Sequence, residues 1–224
     1  AAAAKAVSMV QSNTVIGLGS GSTAILAVQM LGKKLADGEL ENVTGIPTSN
    51  TTDRAAKELG IPLSTLEVYP EIDLTIDGAD EIDPNLNVIK GGGGALLREK
   101  IVAQASKRLL IIVDETKPSP LLGTKWAIPI EVIPFGWGSQ RLFLESLGAT
   151  VQVRPSDRSN PDSEPFRTDH GNLIFDCNFG PVDNLPSLDA QLNSRAGIVE
   201  HGLFLNMVTE VIIAGSNGIE HKTR

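Results

Sequence analysis

Short apolar runs alternate along this chain with stretches in which apolar residues return every three or four positions. Residues 1–11 are helix-prone. Residues 14–18 read as a short strand running into Gly19-Ser20-Gly21-Ser22-Thr23, and an amphipathic helix follows to about Leu35 with Ile25, Leu26, Val28, Met30 and Leu31 at mostly buried positions. A second strand is predicted at 42–46 and a helix at 50–59, stopped by Gly60 and Pro62. Residues 74–76 form a strand that ends in Asp77-Gly78-Ala79-Asp80-Glu81-Ile82-Asp83-Pro84. Residues 86–89 lead into Lys90 and four consecutive glycines, 91–94. The spacing after them predicts a helix over 95–108 with Leu97, Ile101 and Ala105 on one face, then a strand at 109–113. Strand–helix alternation of this kind predicts an α/β fold, a Rossmann-like and mostly parallel sheet flanked by helices.

The texture changes near Lys125. Strand character at 127–133 persists despite Pro129, a helix is predicted at 139–147, and a strand follows at 150–153. Residues 154–171, rich in Pro, Ser and Asp, read as a long surface loop. Strand 173–175, helix 188–193 and strands at 197–199 and 211–214 complete the pattern. The expected organisation is an α/β catalytic domain of residues 1–126 and 201–224, with a smaller α+β domain, 127–200, inserted before the last strand returns to the main sheet.

Composition narrows the function. With 224 residues and 41% hydrophobic content the chain can bury a sizeable core. A net charge of −8 and 4% aromatic residues argue against nucleic acid, which asks for a basic face and rings to stack on. The one cysteine, Cys177, excludes an internal disulfide framework and makes a zinc site implausible, and it reads as a core filler. No run has the apolar length of a membrane span, and residues 1–4 lack the pattern of a signal peptide, so a soluble intracellular protein is expected. The sequons at Asn42 and Asn50 read as chance matches without a secretory signal.

Three turns carry candidate chemistry. Gly91 to Gly94 offer bare N–H groups in front of a helix start, where negative charge is favoured, with Lys90 before them and Glu99 one turn into the helix. The run of glycines is expected to serve a ligand rather than packing. Gly17-Leu18-Gly19-Ser20-Gly21-Ser22-Thr23 lies at a strand-to-helix turn but matches neither the dinucleotide fingerprint nor the Walker loop. Its hydroxyls and amides suit a phosphate monoester, and Ser or Thr there is equally an ordinary helix cap. Asp77 and Asp80 leave a strand end around Gly78 and Ala79, where open sheets bind ligands, although turn caps are the commonest use of such acids. The acids do not fit a calcium loop. Together the set suits proton transfer on a phosphorylated polyol, a carboxylate acting as base while Lys90 and backbone amides stabilise an enediolate oxygen. Lys117 follows another strand and can reach the same crevice. His170, His201 and His221 lie in loops or near the end and read as structural or surface groups.

The runs Gly19 to Ala24, Thr75 to Glu81 and Lys90 to Lys100 resemble those of type A ribose-5-phosphate isomerases. The resemblance continues through Val132-Ile133-Pro134, Thr168-Asp169-His170-Gly171-Asn172 and Glu200-His201-Gly202-Leu203-Phe204, in family order. Ile46-Pro47-Thr48-Ser49 and Asp83-Pro84-Asn85-Leu86 are most similar to the plant and photosynthetic branch. The resemblance implies interconversion of ribose 5-phosphate and ribulose 5-phosphate without metal or other cofactor, in the pentose phosphate pathway or the Calvin cycle. It implies Glu99 as the base, Asp77 and Asp80 in ring opening and hydroxyl binding, and Lys90 with Gly91, Gly92 and Gly93 at the enediolate. Ser20, Gly21, Ser22, Thr23, Gly78, Ala79 and Lys117 are implied to bind substrate. It implies a homodimer or homotetramer in the cytoplasm, or in a plastid after removal of a transit peptide. Two departures stand out. The family's N-terminal double lysine lies ahead of the region where this sequence starts, Lys5 matching a later position, and Phe135-Gly136-Trp137-Gly138 and the loop after Arg154 differ from the family pattern.

Two other classes fit parts of the pattern. A sugar-phosphate sensor needs a DNA-binding domain, and this chain has neither a helix-turn-helix pattern nor a basic face. A related CoA transferase or amino-sugar-phosphate deaminase is the other; a transferase glutamate would form a thioester with acyl-CoA.

Overall fold

The computed structural model describes residues 1–224. In chain order the elements are α1 (Ala2–Val7), β1 (Val15–Leu18), α2 (Ser22–Ala36), β2 (Thr44–Pro47), α3 (Asn50–Glu58), β3 (Leu74–Asp77), β4 (Glu81–Ile82), β5 (Val88–Ile89), α4 (Leu96–Gln104) and β6 (Leu109–Asp114). There follow β7 (Ile128–Val132), α5 (Trp137–Ser146), β8 (Thr150–Val153), β9 (Leu173–Asn178), α6 (Leu185–Asn193), β10 (Ile198–His201), β11 (Leu203–Phe204), β12 (Glu210–Gly215) and β13 (Gly218–Thr223). The chain packs as two compact units, one of residues 1–79, 98–117 and 206–224 and the other of 80–97 and 118–205. The first division therefore falls inside the acidic turn, between Ala79 and Asp80. Residues 80–97, 118–126 and 201–205, expected with the α/β domain, pack with the second unit. The reason is local: β4 and β5 form a three-stranded antiparallel sheet with β11, in the order β11-β5-β4.

The first unit is built on a six-stranded sheet in the order β13-β12-β6-β3-β1-β2, parallel throughout except at the β12–β13 edge. In β6, residues 109–113 are all buried, as expected of a strand covered on both faces in a parallel sheet. Helix α2 buries Ala24, Ala27, Val28 and Leu31, a stripe at the spacing of one helical face. Leu26, at 48% exposed, and Met30 lie outside that stripe, against expectation. Their positions are two residues from buried ones, a half-turn away on the opposite side. Helix α3 begins where the Ser49 hydroxyl caps it, accepting from the Thr52 N–H at 3.1 Å. Strand β13 was not expected, because all its residues are exposed and its sequence alternates weakly. It forms by antiparallel pairing with β12 across a tight turn, and Glu220 and Lys222 give this edge a charged surface.

The second unit carries a four-stranded antiparallel sheet in the order β10-β7-β9-β8. Its core gathers Ile128, Ile130, Val132, Leu144, Phe175 and Leu203 among others. Pro129 is compatible with central strand β7 because a residue's N–H and C=O point to the same side. On that side only its carbonyl is used, accepting from the Gly202 N–H at 2.7 Å, while the ladder to β9 is intact.

Candidate active site

In the first unit β1 lies between β2 and β3, so successive strands are added on opposite sides of it and the strand order reverses at the β1–β3 crevice, the switch point at which open sheets bind ligands. Asp77, buried at the end of β3, spans this crevice. Its Oδ1 accepts the N–H groups of Ser20 at 3.0 Å and of Gly78 at 2.7 Å. The strands approach closely only because residue 19 is glycine: a Cβ there would sit 2.3 Å from Asp77 Oδ1 and 2.6 Å from its Cα. The Ser20 hydroxyl is not held out to solvent. It joins a cluster with the hydroxyls of Thr48 at 2.7 Å, Ser49 at 2.9 Å and Thr52 at 3.2 Å. Thr48 and Thr52 in turn donate to the carbonyls of Leu18 and Gly19. Gly21 caps α2 with φ +90 and no side-chain bond, so neither serine nor threonine is the cap. The first-turn amides of Ser22 and Thr23 are left open to an anion. Lys117 closes the turn after β6, its N–H donating to the Asp114 carbonyl.

Helix α4 is shorter than expected, and its buried face is a different one. Ile101 is 44% exposed, whereas Leu96, Glu99, Lys100 and Ala103 are buried. These four follow helical spacing, so the inward stripe contains a carboxylate at 6% exposure and an ammonium beside it. Glu and Lys are almost never buried for packing alone, since desolvating a charge costs several kcal/mol. Lys100 drew no attention as a buried group in the sequence, because a charged residue next to Glu99 reads as solvated.

In the second unit, Gly91 to Gly94 form a tight turn closed by the Gly94 N–H donating to the Gly91 carbonyl at 2.9 Å. Contrary to expectation, packing does account for three of the glycines. A Cβ on Gly91 would meet Leu96 at 2.8 Å, one on Gly92 would meet Asp80 Oδ1 at 2.4 Å, and one on Gly94 the Phe166 ring at 2.4 Å. Gly91 and Gly94 also have positive φ, of 95° and 83°. Gly93 alone faces open space. Asp80 Oδ2 accepts the Gly92 N–H at 2.7 Å. Lys90 is 2% exposed, its N–H bonded to the Gly202 carbonyl and its Nζ 5.7 Å from the centre of the Phe204 ring.

The structure sorts the acids of the 77–83 turn. Glu81 accepts three backbone N–H groups, from Gly123, Lys125 and Trp126 at 3.0–3.1 Å, and Asp83 holds the N–H groups of Asn85 and Asn87. Both carboxylates are spent on backbone. Sequence reasoning missed Arg154, taken as the start of a surface loop. It is 2% exposed, forms a two-pronged ion pair with Asp176, and donates to the carbonyls of Gly91 and Gly92. The loop behind it is ordered by its own bonds, Phe166 N–H to the Arg154 carbonyl and Ser156 N–H to that of Glu164. Its tip, 156–162, is exposed as expected. His201 is fully buried at the end of β10 rather than in a loop. Cys177 is buried in the core, where desolvation, with the negative Asp176 adding to it, pushes its thiol pKa far up and removes it as a nucleophile.

A turn that carries a buried aspartate and bare amides at the switch point of an open parallel sheet is the arrangement of a ligand-binding α/β protein. The chain belongs to the ribose 5-phosphate isomerase A (phosphoriboisomerase A) family, whose sequence profile matches residues 44–218. It is 54% identical over 222 residues to the ribose-5-phosphate isomerase A of Chloroflexus aurantiacus, covering 99% of this chain and 91% of that protein. It is 45% identical over 225 residues to an Arabidopsis thaliana protein named probable ribose-5-phosphate isomerase 3, chloroplastic, covering 100% and 82%. Among solved structures, the ribose 5-phosphate isomerase from Plasmodium falciparum has a TM-score of 0.94 at 42% identity, covering 99% of this chain and 96% of that one. A D-ribose-5-phosphate isomerase in complex with phospho-erythronic acid has a TM-score of 0.95 at 37% identity, covering 100% and 96%. No helix is long and apolar enough to cross a membrane.

Proposed function

We infer that the chain is an aldose–ketose isomerase interconverting D-ribose 5-phosphate and D-ribulose 5-phosphate through an enediolate. Likeness to such isomerases along nearly its whole length carries this reading. Glu99 is the base. In the open-chain aldose it takes the proton from C2, the C–H electron pair forms the C1–C2 double bond, and the carbonyl oxygen O1 becomes anionic. Returning the proton to C1, while the O2 proton passes to O1, gives the ketose. The burial of Glu99 supports the assignment, because a carboxylate is almost never buried for packing alone.

Lys90, together with the amides of Gly91, Gly92 and Gly93, stabilises the enediolate oxygens. Asp77 and Asp80 assist ring opening and hold sugar hydroxyls beside Gly78 and Ala79. Support comes from chain connectivity: the two aspartates are three residues apart, so at most about 11 Å of backbone separates them. Ser22, Thr23 and Gly21 offer uncapped amides to an anionic group, Ser20 holds their turn, and Lys117 adds a cation. Phospho-erythronic acid, bound by the relative, is a phosphorylated sugar acid of the chemical class this scheme requires.

Self-association as a dimer or tetramer is part of the reading, as the family resemblance implies, and is checked by sedimentation. We place the reaction in the cytoplasm, or in a plastid as for the chloroplastic relative. The net charge of −8 argues against nucleic acid, whereas a local cradle of backbone amides can outweigh a screened global charge and hold a small anion. The decisive experiment incubates the chain with ribose 5-phosphate in D₂O and chelator. Ribulose 5-phosphate with deuterium at C1 is expected, and Glu99→Gln should lower turnover by about 10²–10⁴-fold. No ketose and no exchange from the wild-type chain would reject the reading.

A further inference from the structure

The glycine turn is held from behind by a charge that no step of the isomerisation uses. Arg154 is buried, and its guanidinium is fixed by Asp176, with Nε donating to Oδ2 at 2.9 Å and Nη2 to Oδ1. The remaining arm, Nη1, donates to the Gly91 carbonyl at 2.9 Å and to the Gly92 carbonyl at 3.2 Å, and Arg158 donates to the Gly92 carbonyl as well. In a trans peptide the C=O and N–H point in opposite directions. Holding two successive carbonyls on the guanidinium side therefore turns the N–H groups of Gly92 and Gly93 to the other side. Gly92 confirms the direction, because its N–H meets Asp80 Oδ2 at 2.7 Å. The Gly93 N–H belongs to the next peptide, is aimed to the same side, and has no acceptor within the chain. A positive charge behind the carbonyls also polarises both peptides and strengthens their N–H groups as donors.

We propose that Arg154, clamped by Asp176, is a positioning residue that sets the Gly91–Gly94 turn so that the Gly93 N–H donates to the enediolate oxygen. The proposal rests on the isomerase reading above and adds to it a residue remote in sequence from all its motifs. Lysine cannot replace this arginine, because an ammonium lacks the planar fork that engages a carboxylate with two nitrogens while a third reaches the carbonyls.

The test compares Arg154→Lys with the wild-type chain in turnover of ribose 5-phosphate and in affinity for two ligands. Phospho-erythronic acid presents two coplanar carboxylate oxygens where an enediolate carries its own, and ribitol 5-phosphate has the phosphate and hydroxyls but no such group. Misaligning an oxyanion donor should lower kcat by about 10²-fold while KM moves far less. Affinity for phospho-erythronic acid should fall in step with kcat/KM, and affinity for ribitol 5-phosphate should hold within about threefold. Equal weakening of both ligands would mean general disruption of the fold, and retained turnover would mean no role. Either overturns the proposal. If Arg154→Lys does not fold, Asp176→Glu serves in its place, since Asp176 is partly exposed and the longer carboxylate keeps the guanidinium paired while shifting it against the carbonyls. The same discrimination between ligands is then expected with a smaller fall, and its absence overturns the proposal equally. A wild-type chain that does not convert ribose 5-phosphate would defeat the isomerase reading itself, which separates the two failures.

Discussion

The turn after β1 and the glycine turn 91–94 are solutions to the same problem in two units of the molecule. Each follows a strand, offers backbone amides, and leans on an aspartate that accepts one of those amides, Asp77 in the first and Asp80 in the second. Each contains a glycine whose Cβ would strike that aspartate. They differ in what holds them from behind. The first is backed by neutral hydroxyls from Thr48, Ser49 and Thr52, the second by the charged pair of Arg154 and Asp176. Neutral hydroxyls cost little to bury once bonded, so a cluster of them can serve chiefly to shape the turn. A buried guanidinium is expensive, and its expense is understandable where polarised peptides are needed.

The contrast can be broken most forcefully at Gly92. Its added methyl would meet only the end of the Asp80 side chain, which can swing aside, so Gly92→Ala should leave urea stability nearly unchanged. Displacing Asp80 should lower kcat/KM by about 10²-fold; a variant that unfolds instead would show that the second turn is architectural like the first. Gly19→Ala is the opposite case. Its methyl would meet the Asp77 backbone, which cannot move without parting β1 from β3. A loss of about 1–3 kcal/mol in urea denaturation is expected, as for other overpacked sites.

Ser20→Ala asks whether the hydroxyl cluster merely shapes its turn. Removing one shared hydroxyl should cost about 1 kcal/mol of stability, with KM for ribose 5-phosphate changed little, whereas a large rise in KM would make that hydroxyl a substrate contact. The smallest effect is expected at Asp73, the charged support at the opposite end of β1. Its carboxylate accepts the Val15 N–H at 2.9 Å and also meets Lys107, so its pKa lies below the ordinary carboxylate value, chiefly through the backbone bond. A depressed folded pKa contributes stability that is present above the unfolded pKa and lost as pH falls through the folded one. Asp73→Asn should therefore lower stability slightly at neutral pH and flatten its decline in acid, as read from melting temperature between pH 7 and pH 3.

Much of the first turn was legible because its parts are close in kind and local in pattern: apolar strand, glycine, hydroxyl, then helix. The second was half legible. Lys90, the glycines and Glu99 form one continuous run, but Arg154 lies more than sixty residues away at the edge of a loop whose composition reads as solvent-exposed. The buried face of α4 was misread for a related reason. Leu97, Ile101 and Ala105 share a helical face as convincingly as Leu96, Glu99, Lys100 and Ala103, and residue type favours the apolar set.

Periodicity and turn chemistry were enough, from the sequence by itself, to determine strand–helix order, a parallel sheet and the turns that gather amides and carboxylates. Those features depend on neighbours within about one helical turn or one strand, and a linear pattern records them. Tertiary structure alone decided that Glu81 is spent on distant backbone, the N–H groups of Gly123, Lys125 and Trp126. It also decided which face of α4 is buried and which distant cation holds the glycine turn. Each of these depends on groups brought together by folding, and hydrogen-bond partners separated by tens of residues leave no periodic trace in the chain.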